Sequence, residues 1–165
     1  MCGIIGYVGR QEAAPILLEG LERMEYRGYD STGMAVCGDG VLRVCKKKGR
    51  VQVLREMSHD GADLPGTLGI GHTRWATHGE PSDVNAHPHL SQSGKFAVVH
   101  NGIIENFIAL KEELLQKGYT FRSETDTEVV AQLLDYYYSD CGDFFEAMNR
   151  LLHAVDGAYA LGIIC

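Results

Sequence analysis

Gly33-Met34-Ala35-Val36-Cys37-Gly38-Asp39-Gly40-Val41-Leu42-Arg43-Val44-Cys45 holds two short apolar runs, 33–37 and 41–45, around Gly38-Asp39-Gly40. Asp-Gly is a favoured pair for a two-residue hairpin loop, where both central positions need positive φ. The stretch predicts an antiparallel hairpin. Such a hairpin argues against a doubly wound parallel sheet, in which strands return through helices. Working outward, residues 2–8 read as a buried strand. A helix follows from Pro15 to about Glu25, with Ile16, Leu17, Leu21 and Met24 as its apolar stripe. On the other side come a short helix at 50–58 and strands at 68–73 and 95–100, with a long polar stretch from Trp75 to Ser93 between the two strands. Loops of that length are often functional. Helices are predicted at 107–117, 126–138 and about 143–153, with a strand at 158–164. Gly118 suits the position after a helix end, and Thr125 with Glu128 matches a capping box; Asp126 is the alternative cap. Hairpins mixed with paired helices give an α+β chain, an antiparallel sheet with helices packed on it.

Length and composition fit one domain: 165 residues, 45% apolar and 22% charged. Twenty glycines are about 12% of the chain, above the usual value of about 7%. The net charge of -7 argues against a surface-wide nucleic-acid binder, though not against a small anionic substrate held by one or two arginines. No apolar run reaches membrane-spanning length and no signal-peptide pattern opens the chain, so a cytoplasmic location is expected. Five cysteines with no CxxC spacing fit reduced thiols. The chain stops at Ile163-Ile164-Cys165, inside an apolar run, and is expected to be a fragment of a longer protein.

Several residues have both a chemical and a bland reading. Cys2 is a core thiol, or, once Met1 is removed, a nucleophile carrying its own base in its α-amine, whose pKa lies near 7.7–8.0. Arg74, after a strand, is a salt-bridge partner or a fork for a carboxylate. Trp75 is a loop anchor or a stacking platform. Asn101-Gly102 is a plain turn after the strand, or a pair of oxyanion donors. Asp126 is a helix cap or a partner for an ammonium group. Lys46, Lys47, Lys48 and Arg50 read as a solvated strand end, with a phosphate or partner contact as the alternative. His72, His78, His87, His89 and His100 invite a metal reading, but no recognised metal-site spacing is present and no cofactor is expected.

Together these segments resemble a known family. They are Cys2-Gly3-Ile4-Ile5-Gly6, the run from Leu21 to Ser31, His72 to Pro81, Asn85 to His89, His100 to Asn106 and Ser123 to Glu128. The chain is similar to the N-terminal glutaminase domain of the isomerizing glutamine–fructose-6-phosphate aminotransferases. These are N-terminal-nucleophile (class II) glutamine amidotransferases, and Tyr26-Arg27-Gly28-Tyr29-Asp30-Ser31 points to their sugar-synthase branch. The resemblance implies an αββα sandwich that is incomplete on its C-terminal side, with residues 2–165 as the glutaminase domain and the sugar-isomerase domains absent. It implies hydrolysis of L-glutamine through a Cys2 thioester, with Asn101 and the Gly102 N–H as oxyanion hole. Arg74 would bind the glutamine α-carboxylate with help from Thr77 and His78, and Asp126 the α-ammonium. Arg27 would support the site, and Trp75 would gate it. Ammonia would go to fructose 6-phosphate only through the missing domains of a homo-oligomeric protein. A non-catalytic module, inactive through retained Met1 or truncation, is the competing reading. Another amidotransferase branch and a metal-dependent hydrolase are the others.

Overall fold

A computed structural model describes residues 2–76 and 79–165. Strand β1 (Gly3–Val8) leads into helix α1 (Ala13–Met24), then a 3-10 turn at Glu25–Arg27. The hairpin follows as β2 (Ser31–Gly38) and β3 (Val41–Lys48). Gly38 pairs with Val41, and Asp39 and Gly40 have φ of 53° and 72°. Positive φ at both central residues is what a type I′ loop requires, and it matches the twist of the flanking strands. Helix α2 (Val51–Met57), strand β4 (Leu68–Arg74), the short β5 (His89–Leu90) and β6 (Ala97–Ile104) come next. Helices α3 (Phe107–Gln116), α4 (Asp126–Cys141) and α5 (Phe144–Ala154) precede β7 (Gly157–Ile164).

The strands form two antiparallel sheets, in the orders β1-β4-β2-β3 and β5-β6-β7. Alternation of side chains along each strand explains how they stack. On β2, Met34 and Val36 point to Leu17, Leu18 and Leu21 of α1 and to Val51 and Leu54 of α2. Ala35, between them, faces the other way, into a layer with Ile70, Ala97, Val99 and Ile164. On β6, Val98 faces the helical side and packs with Val129, Val130 and Leu134 of α4, Leu110 and Leu114 of α3 and Leu151 of α5. The result is helices, sheet, sheet, helices: an αββα sandwich, α+β in class. Among the described residues no helix is long and apolar enough to cross a membrane.

Two expectations change. The second strand of the pair continues past residue 100 to Ile104, so Asn101-Gly102 is not a turn but paired strand, opposite Ala160 and Tyr159 of β7. The basic run is a solvated strand end only in part: Lys48 and Arg50 are exposed, but Lys46 and Lys47 reach the long loop. Lys46 Nζ donates to the carbonyls of Val84 and Ala86 at 3.1 and 2.7 Å. Asp83 takes the Lys47 ammonium at 2.5 Å and the Lys48 N–H at 2.9 Å. The run clamps the long loop against β3, and burial pushes the Lys46 amine down to about 8.

Candidate active site

Antiparallel pairing of β1 with β4 sets Gly3 opposite Thr73, which brings Cys2 to the end of β4. The Trp75 N–H donates to Cys2 Sγ at 3.1 Å, and the thiol lies 3.4 Å from the Trp75 carbonyl oxygen. A backbone N–H aimed at sulfur is placed to meet the charge of a thiolate. Cys2 opens into a cavity of about 250 Å³ that it shares with Arg74, Trp75, Gly102, Thr125 and Asp126. A larger hollow of about 630 Å³ lies elsewhere, lined by Lys46, Asp83, Gln92 and Arg122, and includes none of Cys2, Arg74, Trp75, Gly102 and Asp126.

Arg74 is 3% exposed. Its Nη2 donates to the Gly79 carbonyl at 2.9 Å, and Nη1 lies 3.6 Å from Asp30 Oδ1. Asp30 also receives the Ala76 N–H at 2.5 Å and the Ser31 hydroxyl at 2.9 Å, and its own N–H donates to the Arg74 carbonyl. The Arg74–Ala76 segment is thus braced at backbone and side chain by one residue at the start of β2. Both readings of Arg74 have a basis here: a long ion pair to Asp30, and a place in the cavity wall.

Asp126 is 3% exposed and is not the cap of α4. Thr125 is: its side chain accepts from the Glu128 N–H. The Glu128 carboxylate does not close the box; it turns to the N–H groups of Arg122 and Ser123. Asp126 Oδ2 instead accepts from the Ile104 N–H at 2.9 Å, tying the first turn of α4 to the end of β6 beside the cavity. Gly102 has φ 123°, and a Cβ there would stand 2.1 Å from the Ala158 carbonyl oxygen. Only glycine fits that close approach. The Asn101 side chain does not line the cavity, but its Nδ2 reaches the Cys2 carbonyl oxygen at 3.4 Å.

Arg27 is not brought to the cavity wall. It is exposed and lies over the Tyr26 ring, 5.8 Å from its centroid. The loop that carries it does touch the site, since a Cβ on Gly28 would meet the Trp75 ring at 3.0 Å. Thr77 and His78, expected to assist Arg74, lie outside the described residues.

Three of the histidines that invite a metal reading in the sequence, His72, His87 and His89, form a buried group. His72 and His87 stack with centroids 4.3 Å apart, and His89 meets His87 edge-on at 5.0 Å. Burial pushes His72 down to about 4 and holds His87 and His89 well below the ordinary imidazole range, so all three are neutral at pH 7. Their partners are Asn101 for His72, Thr127 for His87 and Thr125 for His89.

Comparison with known proteins places this geometry. The glutamine–fructose-6-phosphate aminotransferase (isomerizing) of Caldanaerobacter subterraneus subsp. tengcongensis is 61% identical over 165 residues, and that of Aquifex aeolicus 56% over 164. The alignments cover 100% and 99% of this chain but 27% of each relative, so the chain spans about a quarter of their length. Among solved structures, the glutamine phosphoribosylpyrophosphate amidotransferase of B. subtilis superposes with a TM-score of 0.84 at 28% identity, over 99% of this chain and 35% of that one. A glutamine aminotransferase class-II domain protein from Silicibacter pomeroyi shares the fold, with a TM-score of 0.59 at 17% identity over 99% of this chain and 72% of that one. The model of one family, described as the glutamine amidotransferase domain, matches residues 36–163, and the chain belongs to that family.

Proposed function

We propose that this domain hydrolyses the side-chain amide of L-glutamine, with Cys2 as nucleophile. The observation that carries the reading is the placement of the Cys2 sulfur against the Trp75 N–H, in a cavity that also holds Arg74, Gly102 and Asp126. With Met1 removed, the Cys2 α-amine is a base of suitable strength beside its own thiol. It takes the thiol proton, and the sulfur attacks the amide carbon. The carbon–sulfur bond forms as the carbonyl electron pair moves onto oxygen, where Asn101 and the Gly102 N–H receive the charge. Collapse of that intermediate breaks the carbon–nitrogen bond, and the nitrogen leaves as ammonia with the proton returned from the amine. Water then cleaves the γ-glutamyl thioester to glutamate and restores Cys2. Arg74 holds the substrate α-carboxylate with Thr77 and His78, and Asp126 its α-ammonium. Trp75 closes the site, and Arg27 supports it through the loop against Trp75.

Identity of 61% to an isomerizing glutamine–fructose-6-phosphate aminotransferase, against 28% to the phosphoribosylpyrophosphate amidotransferase structure, favours the sugar-synthase branch. In that reading residues 2–165 are part of a larger glutaminase domain in a cytoplasmic homo-oligomer. The ammonia is passed to fructose 6-phosphate bound by further domains, giving glucosamine 6-phosphate. The test is a γ-electrophilic glutamine analogue, such as a chloroketone, applied to Met1-free full-length protein. Peptide mass spectrometry should find one adduct, on Cys2, with ammonia release abolished. An unmodified Cys2, or a Cys2→Ala variant that still releases ammonia, overturns the proposal.

A further inference from the structure

Asn101 and His72 lie on different sheets. Asn101 is on β6, and His72 is on β4 between Ile4 of β1 and Gly33 of β2. His72 Nε2 and Asn101 Oδ1 are 2.8 Å apart, while Asn101 Nδ2 lies 3.4 Å from the Cys2 carbonyl oxygen. A carboxamide can turn over and exchange its oxygen and nitrogen, and only the neighbouring donors and acceptors choose between the two poses. A peptide carbonyl only accepts, so the end of Asn101 facing Cys2 is its NH₂. Turned over, the group would set two oxygens against each other. Its oxygen therefore faces His72, which has to offer an N–H. His72 is fully buried and neutral at pH 7, so it carries a single ring proton, and this contact assigns that proton to Nε2.

The His72 ring is itself fixed. His87 stacks on it with 25° between the planes. His87 Nδ1 accepts the His100 backbone N–H at 3.3 Å, which leaves its proton on Nε2, 3.2 Å from Thr127 Oγ1. Thr127 Oγ1 accepts there; the same oxygen lies 3.0 Å from His100 Nδ1, and its hydroxyl donates to Asp126 Oδ1 at 3.5 Å. A backbone amide thus sets the His87 tautomer, and His87 cannot rotate without breaking a bond at each nitrogen.

We propose that His72 is a positioning residue for the oxyanion site, its Nε2–H holding the Asn101 carboxamide with the NH₂ toward Cys2. This rests on the reading of Asn101 as an oxyanion donor in the proposed function. Without the His72 donor, the amide turns over in a share of molecules and presents an oxygen to the developing negative charge. That penalty arises only as charge develops, so it falls on kcat rather than on KM.

The test compares four variants of the full-length protein in glutamine hydrolysis. Removing an oxyanion donor costs about 10²–10³ in rate, which sets the expectation for Asn101→Ala. His72→Phe keeps a ring to stack on His87 but has no donor, and its kcat should fall by about 10- to 100-fold with KM nearly unchanged. His72→Gln, whose amide N–H can serve the same oxygen, should recover most of the loss. The double variant Asn101→Ala/His72→Phe should be no slower than Asn101→Ala, because His72 acts through Asn101. As a second readout, inhibition by the glutamine γ-aldehyde, which needs the oxyanion site, should weaken in His72→Phe while inhibition by L-glutamate stays unchanged. Should His72→Phe not fold, His72→Met, close to glutamine in length but without a donor, takes its place in each comparison. A normal kcat in Asn101→Ala removes the oxyanion reading and this proposal with it. A slow Asn101→Ala beside a fast His72→Phe, no rescue by glutamine, or losses that multiply in the double variant overturn the positioning role alone.

Discussion

Asp126 separates two jobs that one residue at a helix start often combines. Thr125 caps α4, so the Asp126 carboxylate is spent elsewhere, on the Ile104 N–H and the cavity wall. An asparagine there keeps an acceptor for Ile104 but loses the charge that would hold a substrate ammonium. Hydrogen bonds to charged groups are worth about 1.5–3 kcal/mol, so Asp126→Asn should raise KM for glutamine by roughly 10- to 100-fold with kcat little changed. Stability should change by less than about 1 kcal/mol. Steady-state kinetics and urea unfolding of the full-length protein check both parts, and a near-normal KM would leave Asp126 a structural tie between α4 and β6. Cys2, Arg74, Trp75, Gly102 and Asp126, which share one cavity, were singled out by the family resemblance of the motifs that carry them and not by local composition alone. Asp30 stands out in the sequence only within the Tyr26–Ser31 motif, and His72 only within its own motif and among the histidines that invite a metal reading. Their importance lies in what they touch, Ala76 and Arg74 for one and Asn101 for the other, and those contacts span 29 to 46 residues of sequence.

Among elements, α4 and α5 both begin with a side-chain cap, in different surroundings. Asp143 accepts the Glu146 N–H at the surface. Thr125 is 2% exposed and contacts His89 Nε2 and Ser123 Oγ as well as the Glu128 N–H. Loss of an exposed cap costs about 1 kcal/mol, and leaving buried partners unsatisfied adds about 1–3 kcal/mol. Thr125→Ala should therefore destabilise clearly more than Asp143→Ala, with Thr125→Ser close to wild type. Urea midpoints at constant m-value decide the matter, and equal losses would mean that His89 and Ser123 find other partners. The hairpin, the three later helices and the Thr125 cap follow from local pattern. The length of β6 does not. Asn-Gly is good turn chemistry, and only β7, some 57 residues further on, keeps residues 101–104 in a ladder. Lys46 misleads for a similar reason, since the carbonyls it binds belong to a loop about 40 residues away.

Taken as a whole, the molecule buries a seam of neutral imidazoles where its two sheets meet α4. His72, His87 and His89 bind their protons more weakly folded than unfolded, where the ordinary value is 6.5. As pH falls below 6.5 the unfolded chain takes up protons that the fold refuses, until about 4 in the case of His72. Stability is thus complete above about pH 6.5 and drains below it, with a slope approaching about 4 kcal/mol per pH unit if all three act together. Urea unfolding at steps from pH 7 to 5 should show it. A slope of less than one proton would mean that the seam opens to water before the rest of the fold. The same junction carries a built-in optical probe. Trp75 is the single tryptophan of the chain, its side chain is exposed beside Gly28, and its backbone N–H and carbonyl both contact the Cys2 sulfur. Its fluorescence therefore reads the site directly. Glutamine that draws the indole over the cavity should shift emission to the blue, and alkylation of Cys2 should alter its quenching. In a longer protein with other tryptophans, subtracting the Trp75→Phe spectrum isolates the signal, which then titrates occupancy without any label.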